Sequence, residues 1–497
     1  MTNHRDQVSS FKKKIDKLSL TANSLLSKNP KKAADKYVSA LRLSDDLYHI
    51  LSQKNQHYFS PEEYVENKFY NVIERIKSDK ETFGERSIFI QLNDGKNNLD
   101  SHDLYITKAI DDIMDRGFEI TKKAEWSNFY SENAGQAFLL LSSTYSKISK
   151  TIEATPGSFL DQIRVHDNSI SVKEIGDLIH SYKKNKSFRR MKNYIKYFYG
   201  TEKVYFEDIC PLDQRSRMPK SDRKKILKSD IDYISDKIGG FGADLSCNFN
   251  NWFKEGSENS DDGGVRGFYR KNPQIVFNKI DGVWSRLIAV HEYGHALFHI
   301  CSCKNRKFED YQTNLMIDEL LPQVFEVILI LKMKNDSELA GCGEDVWLNQ
   351  LIPLIYNGFL SQAVTTELSI QLAKKIADFD CQTSVEKCYL KILNDLYGDI
   401  IMAAGSEKKW ITSPAFNRPF YSTAYLLSFP IAFNIAIDLL DNGEKGLLAI
   451  NYLLGHKGRV SVDGLFKVLG DTNFDREFDR MFSWVSNELY LYHNKES

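Results

Sequence analysis

The sequence predicts a mostly α-helical protein carrying one small β insertion, on three observations. Apolar residues recur at three and four spacing from the N-terminus to about residue 200, as in Leu18, Leu25, Leu41, Leu47, Ile50 and Leu51. The texture changes over residues 239–272, where Gly239-Gly240-Phe241-Gly242 and the Ser, Asp and Gly of residues 257–264 mark turns and loops. After residue 283 the helical pattern returns almost to the end.

Taken in order, residues 1–200 read as an N-terminal helical lobe. Ser60-Pro61-Glu62-Glu63 has the form of an N-cap, a proline at the first helical position and an acidic first turn. Basic residues gather at Lys183–Lys196, among Phe188, Tyr194, Tyr197 and Phe198, and again at Arg215–Lys228. Without a recognised binding motif these read as a solvated helix face and a connecting segment, so no nucleic-acid partner is expected. Gly267-Phe268-Tyr269 and Gln274-Ile275-Val276-Phe277-Asn278 suggest two strands or one hairpin. The longest apolar stretch, Ala424–Leu440, contains Pro430 and Asn434 and is too short to span a bilayer, which needs roughly 20 residues. It is expected to be a buried helix, with no membrane partner, and no internal repeat is present.

The bulk numbers exclude more than they identify. A chain of 497 residues can bury a large core, and 66 Lys plus Arg against 67 Asp plus Glu give no field that favours nucleic acid or an acidic membrane. Seven scattered cysteines lack the density of a disulfide-stapled secreted domain, and the opening residues lack the apolar run of a signal peptide. A cytoplasmic setting with reduced thiols is expected. Oligomeric state is not readable.

Chemistry concentrates in His291-Glu292-Tyr293-Gly294-His295. Two histidines at i and i+4 on a helix share a face and can bind one metal ion, zinc being the expected one. Glu292 between them lies beside the metal without being a ligand, where it can take a proton from a metal-activated water. The apolar flanks Leu287-Ile288-Ala289-Val290 and Ala296-Leu297-Phe298 suit a buried helix.

A catalytic zinc site needs a third ligand. The glycine and histidine that metzincins carry three and six residues after the second histidine are replaced here by Phe298 and Cys301. His299, Cys301 and Cys303 lie farther along the same helix, where convergence on the metal is difficult; packing or support of the ligands is their expected role. The better candidate is Glu319, in a strongly apolar segment where a buried carboxylate wants a cation. Gln323 and Glu326 share its face and could support the ligands, while Asp318, turned about 100° away, is the rival.

With these residues in hand, the sequence resembles the thimet oligopeptidase and oligoendopeptidase F family of zinc metallopeptidases. HEYGHALFH is similar to that family's HEFGHALH. Glu319, Gln323 and Glu326 match the spacing of its ExPSQxxE pattern, with the proline one position later, at 322. Arg418-Pro419-Phe420-Tyr421-Ser422-Thr423-Ala424-Tyr425 is similar to PFYxYxYA, although no histidine stands shortly before Pro419. Residues 267–278 resemble the edge strand that lies along bound peptide.

The resemblance implies a two-lobed helical ellipsoid with a deep central channel and a small β-sheet beside the HExxH helix, residues 201–497 being the zincin-type catalytic region that completes both lobes. It implies a metalloendopeptidase that cleaves internal amide bonds of short unstructured peptides by attack of a zinc-bound water. One zinc ion is held by His291, His295 and Glu319, with Glu292 as general base and Tyr421 and Tyr425 stabilising the oxyanion. Two alternatives stand beside it: a zinc carboxypeptidase of related helical fold, and a noncatalytic homologue that keeps zinc and binds peptide or protein.

Overall fold

The computed structural model describes residues 4–52, parts of 61–73, 109–114, 116–117, 123–154, 170–200, 204–205, 220–255, 264–266, 273–277, 283–306, 313–335, 347–398, 401–402, 406–441, 443–457 and 460–496. Ser60, Glu62, Glu63, Gly267, Phe268, Tyr269 and Asn278 lie outside the described residues, so the capping signal at 60–63 and the first of the two strand signals fall there.

Helices dominate, as the periodicity predicts. α1 (His4–Leu25) and α2 (Pro30–Ser52) pair as a hairpin. Val8, Phe11, Ile15 and Ala22 of the first, with Ala33, Ala34, Tyr37 and Ala40 of the second, recur at helical spacing and close a small core of their own. After α3 (Lys123–Ala154), α4 (Val172–Lys184) begins with a complete capping box: Ser171 Oγ accepts the Glu174 N–H at 3.2 Å while Glu174 Oε2 accepts the Ser171 N–H at 2.7 Å. Asn185 ends α4 and caps α5 (Lys186–Phe198) by accepting the Phe188 N–H. The exposed face of α5 holds Lys186, Arg189 and Arg190, a solvated basic face.

β1 (Val204–Tyr205) pairs in parallel with the distant β5 (Ile401–Met402). α6 (Lys220–Lys237) and α7 (Gly242–Trp252) lead into β2 (Phe253–Glu255), β3 (Gly264–Arg266) and β4 (Gln274–Phe277). The strand expected at 274–278 is there as β4; its antiparallel partner β3 lies just before Gly267-Phe268-Tyr269, at residues expected to belong to a loop, and β2 adds in parallel on the other side, giving the order β2-β4-β3. The strand at 274–277 is therefore central and not an edge. Val276 opposes both Lys254 and Gly264, so β4 has no free ladder on which a peptide could be added. Position along the chain cannot reveal this, because β2 reads as the end of a helical stretch.

α8 (Val283–Asn305) follows and packs on β3 and β4, which puts the small sheet beside the HExxH helix as expected. α9 (Leu315–Asn335) packs against both α8 and α13 (Tyr421–Asp441). Between them come α10 (Leu348–Ile355), a π turn at Tyr356–Leu360, α11 (Ser361–Lys375), α12 (Gln382–Tyr397) and a one-turn helix at Pro414–Asn417. α14 (Glu444–Gly455), α15 (Val462–Val468) and α16 (Phe474–Glu496) complete the chain. α9 and α13 are apolar nearly all round and buried on every face, which is what such a composition requires of a helix in the middle of a core. α13 is long and apolar enough to cross a membrane by length and composition, yet 89% of its most apolar window is buried inside the protein, in line with the buried helix expected there.

The large core draws on residues from Ile110 to Leu489, with α5 lying along α16 and α3 against α11. The hairpin core of α1 and α2 meets the body at Cys303, near the end of α8.

Candidate metal centre and active site

The site forms where α8, α9 and α13 meet. α8 crosses α9 at Gly294: a Cβ built there would lie 2.6 Å from Pro322 Cα and 2.8 Å from Pro322 N. Only a residue without a side chain admits this approach, and Pro322 offers no N–H at the contact. The crossing brings the histidines of α8, one residue and three residues away from Gly294, over Glu319, three residues before Pro322.

At that crossing three acceptor atoms converge. His291 Nε2 and His295 Nε2 are 3.1 Å apart, and Glu319 Oε2 lies 3.3 Å from the first and 3.7 Å from the second. The His291 Nδ1 faces Glu326 Oε1 at 3.1 Å. A carboxylate can only accept, so Nδ1 carries the proton and Nε2 of the neutral ring points its lone pair inward. Glu319 is only 4% exposed, and its Oε2 is buried without a hydrogen-bond partner.

Two imidazole nitrogens and an unpartnered carboxylate oxygen facing one another call for a cation between them. Donors about 2.0–2.1 Å from a tetrahedral zinc ion stand roughly 3.3 Å from each other, and the observed separations of 3.1, 3.3 and 3.7 Å bracket that value. The residues fit the metal the sequence calls for. His291, His295 and Glu319 are the group of metal-ligating side chains found among the described residues.

The electrostatics of the site tell the same story. Burial works against a charged His291, but the Glu326 and Glu319 carboxylates outweigh it and hold its pKa well above the usual histidine value. Burial pulls His295 down to about 4, with the neighbouring His291 charge adding to the shift. Burial would raise Glu319, yet His295, His291 and the Tyr425 hydroxyl together keep it below the ordinary carboxylate range.

α13 holds the carboxylate from the other side. The Tyr425 hydroxyl donates to Glu319 Oε1 at 2.8 Å, and the Tyr421 and Tyr425 hydroxyls are 2.8 Å apart. One turn on, the Ser428 hydroxyl donates to Gln323 Oε1 at 2.7 Å. The tyrosines follow a constrained turn. Phe420 is a buried bulky residue at φ 64°, in the left-handed region that L side chains rarely adopt, and its N–H is held by Ser369 Oγ. Tyr145 bonds the same Ser369 hydroxyl and donates to the Ala415 carbonyl, tying the segment before the tyrosines to α3 and α11.

The structure sorts the sequence candidates. His291, His295 and Glu319 come together, Glu326 reaches His291, and Glu292 is half-buried on α8 immediately after His291. Tyr421 and Tyr425 stand at the same site. Gln323 supports no ligand directly; its amide oxygen is taken by Ser428. Asp318 turns to the Thr313 hydroxyl at the start of α9, which removes it as a rival ligand. His299 meets Cys303 Sγ at 3.5 Å and Cys301 is buried, its thiol pushed up to about 12 by burial, so neither joins the metal group.

Sequence reasoning missed the support beneath the site. Arg286 grips Asp230 with two bonds of 2.8 Å, and Lys332 adds a third at 2.9 Å, joining α6, α8 and α9 in a buried ion cluster. The available signal was a lone arginine among the apolar residues 283–290 and a lysine at the end of an Ile and Leu run, charges that need an anion once buried. Tyr293, the variable position of the motif, points away: its hydroxyl donates to the Phe249 carbonyl and its ring stacks on Phe249, anchoring α8 to α7.

Fold and site together define a mostly helical architecture with a His-His-Glu centre, and the fold is shared with oligoendopeptidase F structures. No family model and no curated protein matches the chain. Among solved structures it is similar to a candidate peptidase from Chlamydophila abortus, at 16% identity and TM-score 0.69, covering 94% of this chain and 91% of that one. It is also similar to oligoendopeptidase F from Enterococcus faecium, at 12% identity and TM-score 0.59, covering 98% of both chains. An M32 carboxypeptidase from Deinococcus radiodurans shares the fold more loosely, at 10% identity and TM-score 0.53 over 98% of this chain and 99% of that one.

Proposed function

We propose that this chain is a zinc-dependent peptidase that hydrolyses internal amide bonds of short, unstructured peptides. The observation that carries the reading is the convergence of His291 Nε2 and His295 Nε2 of α8, the helix that also bears Glu292, with the otherwise unpartnered Glu319 Oε2 of α9.

His291, His295 and Glu319 would hold one zinc ion, which when bound polarises the scissile carbonyl and lowers the pKa of a water. Glu292 takes the proton from the attacking water and returns it to the leaving nitrogen, general acid–base work that contributes typically about 10²–10⁴-fold. Glu326 holds His291 in the tautomer that offers Nε2 inward. The hydroxyls of Tyr421 and Tyr425 stand at the site, where a phenol O–H can stabilise the negative charge that develops on the carbonyl oxygen. Peptide is held within a channel between two lobes, which excludes folded proteins.

A second reading, a carboxypeptidase that removes one residue from a free C-terminus, is favoured by the shared fold of the Deinococcus radiodurans enzyme. Mass spectrometry of products from peptides with amidated C-termini separates the two. The zinc-loaded protein is expected to cut such peptides internally; release of single C-terminal residues, and only from free acids, would establish the second reading instead.

A further inference from the structure

The two tyrosines cannot do the same job, because their protons are already allotted. Each phenol has one O–H and can donate one hydrogen bond. Tyr425 donates to Glu319 Oε1, an acceptor that has no proton to give, so the 2.8 Å contact between the two hydroxyls is Tyr421 donating to Tyr425.

The two bonds differ in strength. The Tyr425 bond to a buried carboxylate is charge-assisted, about twice as strong as a neutral one, while the Tyr421 bond joins two neutral phenols. When negative charge develops on a substrate carbonyl, Tyr421 can turn its proton there at the loss of the weaker bond. Tyr425 could do so only by releasing the carboxylate, whose other oxygen faces both histidines.

We infer that Tyr425 is a positioning residue that fixes Glu319 with Oε2 toward His291 and His295, and that Tyr421 is the donor to the reacting carbonyl. Tyr425 acts on the centre from outside: one carboxylate oxygen is tied to α13, so the other is presented to the histidines. Ser428 and Gln323 make a parallel tie one turn farther along, which keeps α13 and α9 in register and the Tyr425 hydroxyl within reach. The assignment of Tyr421 rests on the peptidase reading; that of Tyr425 rests on metal binding alone.

The test compares Tyr425→Phe with Tyr421→Phe in the full chain. Zinc affinity is read by competition with a chromogenic chelator, and ligand geometry by the visible spectrum of the cobalt-substituted protein. Tyr425→Phe is expected to weaken zinc binding about 10–100-fold and to shift the cobalt spectrum. Tyr425→His, which keeps an N–H donor at that position, should recover part of the affinity. Tyr421→Phe is expected to leave affinity and spectrum as in the wild type while lowering kcat about 10–1,000-fold with little change in KM. Wild-type affinity and spectrum in Tyr425→Phe would overturn the positioning role, whatever the activity. An unchanged kcat in Tyr421→Phe, in an enzyme whose wild type cleaves peptide, would overturn the donor role. A wild type that binds zinc but cleaves nothing defeats the peptidase reading and the Tyr421 assignment with it, and leaves the affinity arm for Tyr425 standing. A crystal structure of the zinc-loaded wild type provides an independent check: the Tyr425–Glu319 bond is expected to persist, and its absence would contradict the inference.

Discussion

Gly294 and Glu326 show how much of the centre depends on residues outside the His-His-Glu group itself. A methyl group at Gly294 would press on the backbone of Pro322, so α8 and α9 would have to separate. Gly294→Ala is expected to cost about 1–3 kcal/mol of stability, read from urea denaturation, and to weaken zinc binding because the three ligands come from those two helices. Glu326→Ala removes the acceptor that fixes His291, and a fall of roughly 10–100-fold in zinc affinity is expected, measured by chelator competition. Acid weakens zinc binding for a related reason. His291 holds a proton above the usual histidine pKa, whereas His295 loses its own only near 4. Zinc displaces the His291 proton, so affinity should rise about tenfold per pH unit until His291 is neutral without help and then level off. Titration calorimetry in two buffers of different ionisation enthalpy should report one proton released at pH 7. Release of none would show that His291 is already neutral.

Among the elements, α8, α9 and α13 carry the site, and their sequences made different amounts of it legible. The i, i+4 histidines fixed the face of α8, and the carboxylates of α9 stood out because the helix around them is apolar. Partners across helices were not legible, since Ser428 on Gln323 and Tyr425 on Glu319 depend on a helix crossing that periodicity does not encode. The small sheet was half legible: β-branched residues marked β4, but pairing by β2 made that strand central and closed the edge expected to receive peptide. The Asp230 cluster was hidden for a similar reason, because Asp230 sits in a helix full of alternating charges and only the fold shows that, among the described ones, it is the buried charge. Replacing Asp230 with alanine strands Arg286 and Lys332 in the interior, and a loss of about 3–5 kcal/mol is expected in denaturant titrations. A change below about 1 kcal/mol would mean that the cluster is incidental to the packing of α6, α8 and α9.

For the whole molecule, the metal centre is a local feature of a large apolar core. The core from Ile110 to Leu489 is built from apolar side chains, and the centre lies at one meeting point of three helices within it. Removing zinc with a chelator is therefore expected to leave the helical circular dichroism unchanged while lowering the Tm. Free zinc at a hundredfold over its Kd should add about 2.7 kcal/mol. The mostly helical class was legible because a period near 3.6 recurs through most of the chain.

The claim on which the rest depends is that Glu292 works beside a metal held by its neighbours, and Glu292→Gln tests it most directly. Zinc content and cleavage of a mixed peptide library are measured together on wild type and variant. One zinc per chain in both, with peptide cleaved by the wild type and turnover reduced by 10³-fold or more in the variant, is the predicted result. A wild type that holds one zinc and cleaves nothing, or a variant that cleaves at the wild-type rate, would contradict it.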